Sequence, residues 1–261
     1  MKQLAQYSSL QGKRVFVTGG GSGIGEEIVT ALVAQGAHVA FVDIASEASI
    51  ALCQRLAHTV STGATPKVAP LFRQCDIRDI AALQTVMAEL VAEIGDFDVL
   101  VNNAANDQRH ETAEVTLDYW NDRIAINQRP MFFTCQAVFA GMQRNGGGSI
   151  INVSSISWHI KAAGYPVYAT SKAAVSGLTR GLAREYGAAG IRVNTVTPGW
   201  VMTQRQLDMW VDDDAKKVIK ENQCLPGMLM PQHIASMVLF LAADDSAMCT
   251  AQDFIVDAGW V

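Results

Sequence analysis

Short apolar runs recur along the chain, and each is followed by a stretch in which apolar positions return at intervals of three and four. That change of period predicts a strand, then an amphipathic helix, then another strand. Strands are expected at residues 13–18, 38–43, near 68–75, at 99–102, 149–153 and 192–196, with 253–256 completing the series. Helices are expected over 24–34, ending at Gly36, over about 46–58 and over 80–93. A long helix over about 117–142 should be kinked at Pro130, where a backbone N–H is missing. Further helices carry PVYATSKAAVSGLTRGLA and follow Pro231. No hairpin signal interrupts the alternation, which implies an α/β fold with a doubly wound parallel sheet of about seven strands and helices on both faces. In such a sheet, ligands sit at the carboxyl ends of the strands, where Asp43, Asp76, Asn102, Ser155 and Pro198 fall.

Composition adds limits. The 261 residues, 49% of them hydrophobic, can bury one large core, and no Pro/Ser-rich linker or charge block divides residues 1–261. A single domain follows, combining nucleotide binding and catalysis. The net charge of −5 argues against nucleic acid or an acidic membrane surface as partner, since either calls for a basic stripe. Asp212-Asp213-Asp214 reads as a solvated helix start. The five cysteines, Cys53, Cys75, Cys135, Cys224 and Cys249, lack CxxC or Cys/His ligand spacing, so buried reduced thiols and no metal site are expected. The N-terminal stretch has no apolar leader core, and the oily run 237–243 is too short to span a bilayer. A cytoplasmic location is the expectation.

The first strand runs straight into TGGGSGIG, residues 18–25, and then into the first helix. Glycines let the backbone turn tightly and approach a pyrophosphate, whose charge meets the free N–H groups and positive end of that helix. A dinucleotide is the expected ligand, in a Rossmann-type arrangement. The second strand ends in Asp43, eighteen residues after Gly25. A carboxylate there accepts from both adenosine ribose hydroxyls and repels a 2′-phosphate, which favours NAD and leaves NADP as the alternative. The competing role for Asp43 is that of a solvated strand end or a cap for the next helix.

Tyr168 and Lys172 stand four residues apart, on one face of a helix, with Ser155 thirteen residues upstream of the tyrosine. A free phenol has a pKa of about 10, and bringing it near 7 takes roughly 4 kcal/mol. A lysine cation about 4 Å away supplies on the order of 4 kcal/mol at an effective dielectric near 20. A tyrosine so placed takes a proton from a substrate hydroxyl. An isolated YxxxK is more often a pair on a helix surface; the glycine loop upstream changes that reading.

Gly19, Gly23 and Gly25 resemble the TGxxxGxG loop of the short-chain dehydrogenase/reductase family, and Ser155, Tyr168 and Lys172 fit its serine and YxxxK. Asn102-Asn103-Ala104-Ala105 is close to its NNAG, with alanine where glycine is usual, Asn127 falls at its helix asparagine, and Pro198-Gly199 matches its PG turn. The resemblance covers essentially the whole chain. It implies an NAD(P)-dependent oxidoreductase with an Asn127-Ser155-Tyr168-Lys172 tetrad. It further implies cofactor contacts at Ser22, Ile24, Asp43 and Ile44, at Asp76 and Ile77 beside adenine, and at Asn102, Asn103 and Ala104 beside ribose. Val201 and Thr203 resemble the residues that fix the nicotinamide carboxamide. Asn127 would stabilise a bend in its helix and hold a water leading to Lys172, while Ser154 would be structural. Many members are tetramers built on the helices that here carry Asn127 and Tyr168, so a homotetramer is implied.

Substrate choice rests with the segments expected to face the nicotinamide: NDQRH at 106–110, SWH at 157–159 and a substrate loop at about 200–225. They are polar and carry tryptophans. Such a wall suits a sugar, which presents hydroxyls needing partners and C–H faces that pack on indole. NDQRH, SSISWH, QCLPG and the terminal DAGWV resemble the aldose 1-dehydrogenases of the family, of the D-xylose or L-arabinose type. That likeness implies oxidation of a cyclic aldose at C1, with Asn106, Arg109, Ser155, Trp158, His159 and Trp200 as substrate-contacting candidates. Two alternatives stay open: the same chemistry on a polyol or other secondary alcohol or ketone, and a non-catalytic NAD-binding protein.

Overall fold

A computed structural model describes residues 5–61 and 68–261, with side chains of 59–61 left aside. The first four residues, part of the stretch read for a leader, lie outside it. Strands β1 (Arg14–Thr18), β2 (His38–Asp43), β3 (Leu71–Gln74), β4 (Val99–Asn102), β5 (Gly148–Val153), β6 (Ile191–Pro198) and β7 (Asp253–Val256) form one sheet in the order β3-β2-β1-β4-β5-β6-β7. Every pairing is parallel. The expected seven-stranded, doubly wound architecture is thus present. The topology reverses between β1 and β4, and this opens the crevice at their carboxyl ends in which such sheets bind ligands.

Helices cover both faces because the central strands are apolar on both. Val15, Val17, Val99, Val101 and Ile151 join one core with α1 (Gly23–Ala34) and α9 (Pro231–Ala242). Their neighbours Phe16, Leu100 and Ile150 join the other, under α3 (Ile80–Ile94) and α5 (Arg129–Arg144), with α6 (Pro166–Tyr186) alongside. Period-two alternation therefore sorts residues between two cores rather than between core and water. Helix α2 (Ser46–Ser61) extends three residues past its expected end.

The single kinked helix expected over 117–142 is corrected to two helices, α4 (Leu117–Asn127) and α5. Gln128 leaves the helical region, with φ −130° and ψ −58°, and Pro130 lies in the first turn of α5. A proline needs no partner there, so it starts a helix instead of bending one. The break leaves Asn127 as the last residue of α4, buried.

The substrate loop is largely helical. It contains α7 (Gln204–Met209), capped by Thr203, and α8 (Asp213–Asn222), whose start is capped by Asp212 as the acidic run suggested. Val201 bridges to Leu229, closing the segment at its base. No described helix is long and apolar enough to cross a membrane. Cys75 and Cys135 are buried, Cys53 and Cys249 half-buried, and Cys224 exposed, so the expected burial holds for part of the set.

Candidate active site

The loop between β1 and α1 is shaped by contacts that only glycine permits. A Cβ on Gly25 would lie 1.8 Å from the Gly19 carbonyl oxygen, and one on Gly19, whose φ is +68°, would lie 2.8 Å from Ala104 Cα. Asn103 holds the loop from below, its Nδ2 donating to the carbonyls of Thr18 at 3.2 Å and Gly19 at 2.9 Å. Ser22 precedes α1 without capping it through its side chain. The first N–H groups of the helix are therefore left for an external acceptor, as a pyrophosphate cradle requires. Thr203 Cγ2 would sit 3.2 Å from a Cβ on Gly23, which brings the start of the substrate loop against this cradle.

Asp43 ends β2 beside the glycine loop. Its Oδ2 accepts from Gly21 N at 2.8 Å and its Oδ1 from Ala45 N at 2.9 Å, so the carboxylate is oriented by backbone while each oxygen keeps capacity for a ribose hydroxyl. Ile44 beside it is 67% exposed and offers an apolar platform. Asp76 is engaged by the Arg78 guanidinium, which holds its carboxyl below the usual range, and Ile77 is buried in the core. Asn102 departs from the expected ribose-lining role. Its amide is fully buried, donating to Asn152 Oδ1 at 2.9 Å and accepting from Thr134 Oγ1 at 2.6 Å, so its side chain ties β4 to β5 and α5. Pro198 ends β6, and a Cβ on the adjacent Gly199 would strike Asp257 Cα at 2.8 Å.

At the carboxyl end of β5 the predicted proton-handling residues converge. Ser155 begins a short 3-10 turn, its Oγ accepting from Ser157 N at 3.1 Å, and it also hydrogen-bonds with Tyr168. Lys172 is 1% exposed; its ammonium donates to the Val153 carbonyl at 2.8 Å and lies 5.7 Å from the centre of the Tyr168 ring. Ser154 donates to the Lys172 carbonyl at 2.9 Å, the structural role expected of it. The side chain of Asn127 grips the backbone of Asn106 from both sides, accepting from its N–H at 2.7 Å and donating to its carbonyl at 3.0 Å.

The electrostatics overturn one sequence expectation. In the protein alone the Tyr168 phenol is raised, not lowered: burial dominates and the charge of Asp107 adds to it, while the Ser155 hydrogen bond works the other way. Lys172 is pushed down to about 7, because burial penalises its ammonium more than Asp107 helps it. A lysine whose own charge is halved near neutral pH cannot acidify its neighbour by the amount that a permanent cation would.

A wall built from the loops after β4 and β6 lies within reach of Tyr168, whose phenol feels the charge of Asp107. Arg109, after β4, lies over the rings of Trp210 at 4.3 Å and Trp200 at 5.7 Å. Asp107 accepts from Gln206 Nε2 at 2.6 Å, and Gln206 Oε1 accepts from Trp200 Nε1 at 2.9 Å. Of the substrate candidates, Arg109 and Trp200 come together here, while Asn106 is held by Asn127 and Gln108. Trp158 instead lines a cavity of about 190 Å³ with Ser176, Thr179, Arg180 and Asp253, and His159 Nε2 is 4.0 Å from Asp253. Asp107 and Gln206 were not singled out by the sequence, although Asp107 lies inside NDQRH.

Residues 19–261 match the family model described as "Enoyl-(Acyl carrier protein) reductase". The chain is 47% identical over 256 residues to a D-xylose 1-dehydrogenase of Caulobacter vibrioides, covering 98% of each. It is 45% identical over 255 residues to a "Probable galactose dehydrogenase" of Rhizobium meliloti, covering 98% of this chain and 97% of that one. Among solved structures, a short-chain dehydrogenase/reductase from Serratia marcescens superposes with a TM-score of 0.87 at 34% identity, covering 97% of this chain and 99% of the other. One from Mycobacterium ulcerans gives 0.90 at 26% identity, covering 98% and 91%.

Proposed function

The chain belongs to the short-chain dehydrogenase/reductase family, and from that premise we propose that it is an aldose 1-dehydrogenase, oxidising the C1 hydroxyl of a cyclic sugar to the aldonolactone. The observation that supports this reading is the polar wall joining the loops after β4 and β6, whose Asp107 acts on Tyr168. Asp107, Arg109, Trp200 and Gln206 offer acceptors, donors and indole faces rather than an aliphatic lining. L-arabinose, D-xylose, D-galactose and L-fucose are the favoured substrates; D-xylose and galactose are the sugars named for the two relatives above.

In this reading Ser155 holds the reacting oxygen and Tyr168 accepts its proton. Lys172, fixed by Val153, adds positive charge beneath the phenol in the fraction of molecules where it is protonated, and Asn127 fixes the β4 loop through Asn106. When bound, oxidised NAD supplies the hydride acceptor and a positive charge beside the phenol. The cradle of Gly19, Ser22, Gly23, Ile24 and Gly25 would hold the pyrophosphate, with Asp43 and Ile44 at adenosine and Val201 and Thr203 toward the nicotinamide. A cytoplasmic homotetramer completes the proposal; light scattering in solution measures its mass.

A screen of cofactor reduction against aldoses, polyols and hydroxy acids tests the activity. Turnover of at least one of the four favoured sugars is expected, with a lactone as first product. No turnover of any aldose, alongside good turnover of a sugar alcohol or ketone, would sink the assignment. The cofactor preference rests on Asp43. NAD should exceed NADP by at least tenfold in kcat/KM, roughly 1.4 kcal/mol. Asp43→Ser should lower that ratio to near one by relieving repulsion of the 2′-phosphate, whereas equal use of both cofactors by the unaltered enzyme would refute the role.

A further inference from the structure

One carboxylate in the wall is used neither by the tetrad nor by the nucleotide cradle. Asp107 is 31% exposed at its side chain and stands on the loop after β4. Its Oδ2 takes the short hydrogen bond from Gln206, while its Oδ1 meets only Arg205 Nε, at 3.4 Å. That second contact is long for a hydrogen bond, so most of the acceptor capacity of Oδ1 is free. Its chain neighbour Asn106 is gripped by Asn127 of the tetrad, and its negative charge is felt at Tyr165, Tyr168 and Lys172.

The bland role is a tie between loops. Gln206 alone joins Asp107 to Trp200, and so links the β4 loop, the β6 loop and α7. The tie to Gln206, however, needs only a neutral oxygen, which an asparagine amide would provide, and the ion pair with the exposed Arg205 guanidinium is long and screened by water, so it contributes little. A negative charge here raises Tyr168, which opposes its use as a base. Such a charge is retained to advantage only where it contributes to something else, and a carboxylate is the strongest acceptor a protein can offer to hydroxyl groups.

We infer that Asp107 is the residue by which the enzyme recognises the hydroxyls of its sugar: Oδ1 accepts from the ring substituents while Gln206 and Trp200 fix the carboxylate in place. The inference rests on the aldose reading and names its main polar contact. A hydrogen bond to a charged group differs from one to a neutral group by about tenfold in affinity or more. Gln206 is then a positioning residue, acting through Asp107.

The test is steady-state kinetics of the wild type, Asp107→Asn and Asp107→Leu with an aldose and its singly deoxygenated analogues, each over a pH range. Asp107→Asn keeps an acceptor for Gln206. It should raise KM for the sugar about tenfold while KM for NAD stays within about twofold. It should also shift the rising limb of kcat to lower pH, since a negative charge near Tyr168 has gone; Ser155 and Tyr165 stay in place, and the accompanying fall in Lys172 only trims the shift. One deoxy sugar should lose as much with wild type as the variants lose with the parent sugar, and the two losses should not multiply. An unchanged sugar KM in Asp107→Asn overturns the inference, as do losses that multiply for every analogue. Should the variants fail to fold, the wild type with the deoxy series decides: a single hydroxyl worth about tenfold supports the inference and none overturns it. If only a polyol is oxidised, the aldose reading fails, yet the same variants on that polyol still decide the role of Asp107; turnover confined to substrates without extra hydroxyls ends both.

Discussion

Tyr168→Phe is expected to lower kcat by about 10²- to 10⁴-fold, the usual worth of a positioned general base, with NAD affinity nearly intact. Phenylalanine fills the same space against Lys172 and Tyr165 and removes a single oxygen, so the cradle between Gly19 and Gly25 is untouched. The prediction has a pH component whose sign follows from the structure. In the proposed mechanism Tyr168 acts as phenolate, and its pKa in the protein alone is raised by burial and by Asp107. The active fraction at neutral pH is therefore small, and kcat for oxidation should climb with pH, by up to tenfold per unit, until the phenolate predominates. The reverse reaction needs the protonated phenol and should fall over the same range. In Tyr168→Phe the limb should vanish from the residual rate. Absorbance assays of NADH formation from pH 6 to 10, with NAD binding followed by fluorescence, measure both parts. A variant that keeps a tenth of the wild-type rate, with the limb in place, would remove Tyr168 from the mechanism.

Much of this site was legible because the periodicity of the chain locates strand ends, and strand ends locate chemistry. The ends of β1, β2 and β5 locate Gly19 to Gly25, Asp43 and Ser155, while Tyr168 and Lys172 were read from their four-residue spacing and the family resemblance. What such reading supplies is where the backbone stops, not which way a side chain turns. Asn102 and Asn103 are adjacent and chemically identical, yet one ties the sheet together while the other holds the glycine loop. Strand alternation contained the answer for Asn102, which shares the parity of Leu100 and hence faces the α5 side. Trp158 and His159 follow β5 as expected but meet Asp253 of β7, a pairing almost a hundred residues away in sequence. The clasp between Asp107 and Gln206 spans 99 residues and was hidden for the same reason. Helix α7 has six residues, too few for a period to show. At Pro130 the local rule permits two outcomes, a kink or a start, and packing of Asn127 against Asn106 accompanies the second.

Lys172 yields the other large effect, in which activity and stability move in opposite directions. Its ammonium is 1% exposed, has a carbonyl and no carboxylate as hydrogen-bond partner, and is pushed down to about 7 from the ordinary lysine value. The unfolded chain, with a lysine pKa of about 10.4, binds the extra proton more tightly than the native protein does. Between pH 7 and 10 the unfolded state therefore carries more protons, and stability must rise with pH across that window from this group. Below pH 7 the full cost remains, on the order of 4 to 5 kcal/mol for a shift of some three pK units. Lys172→Met keeps the apolar stem and removes the charge, leaving the Val153 carbonyl without its donor, a loss of about 1 to 3 kcal/mol. The balance predicts a variant with a higher Tm than wild type at pH 6 to 7, an advantage that disappears or reverses by pH 10, and a kcat reduced by about 10²-fold or more. Calorimetry of both proteins at four pH values in this interval, beside the kinetic assay, reads the crossing directly. Equal pH dependence of Tm in the two proteins would mean that Lys172 is not the strained cation that this buried geometry makes it.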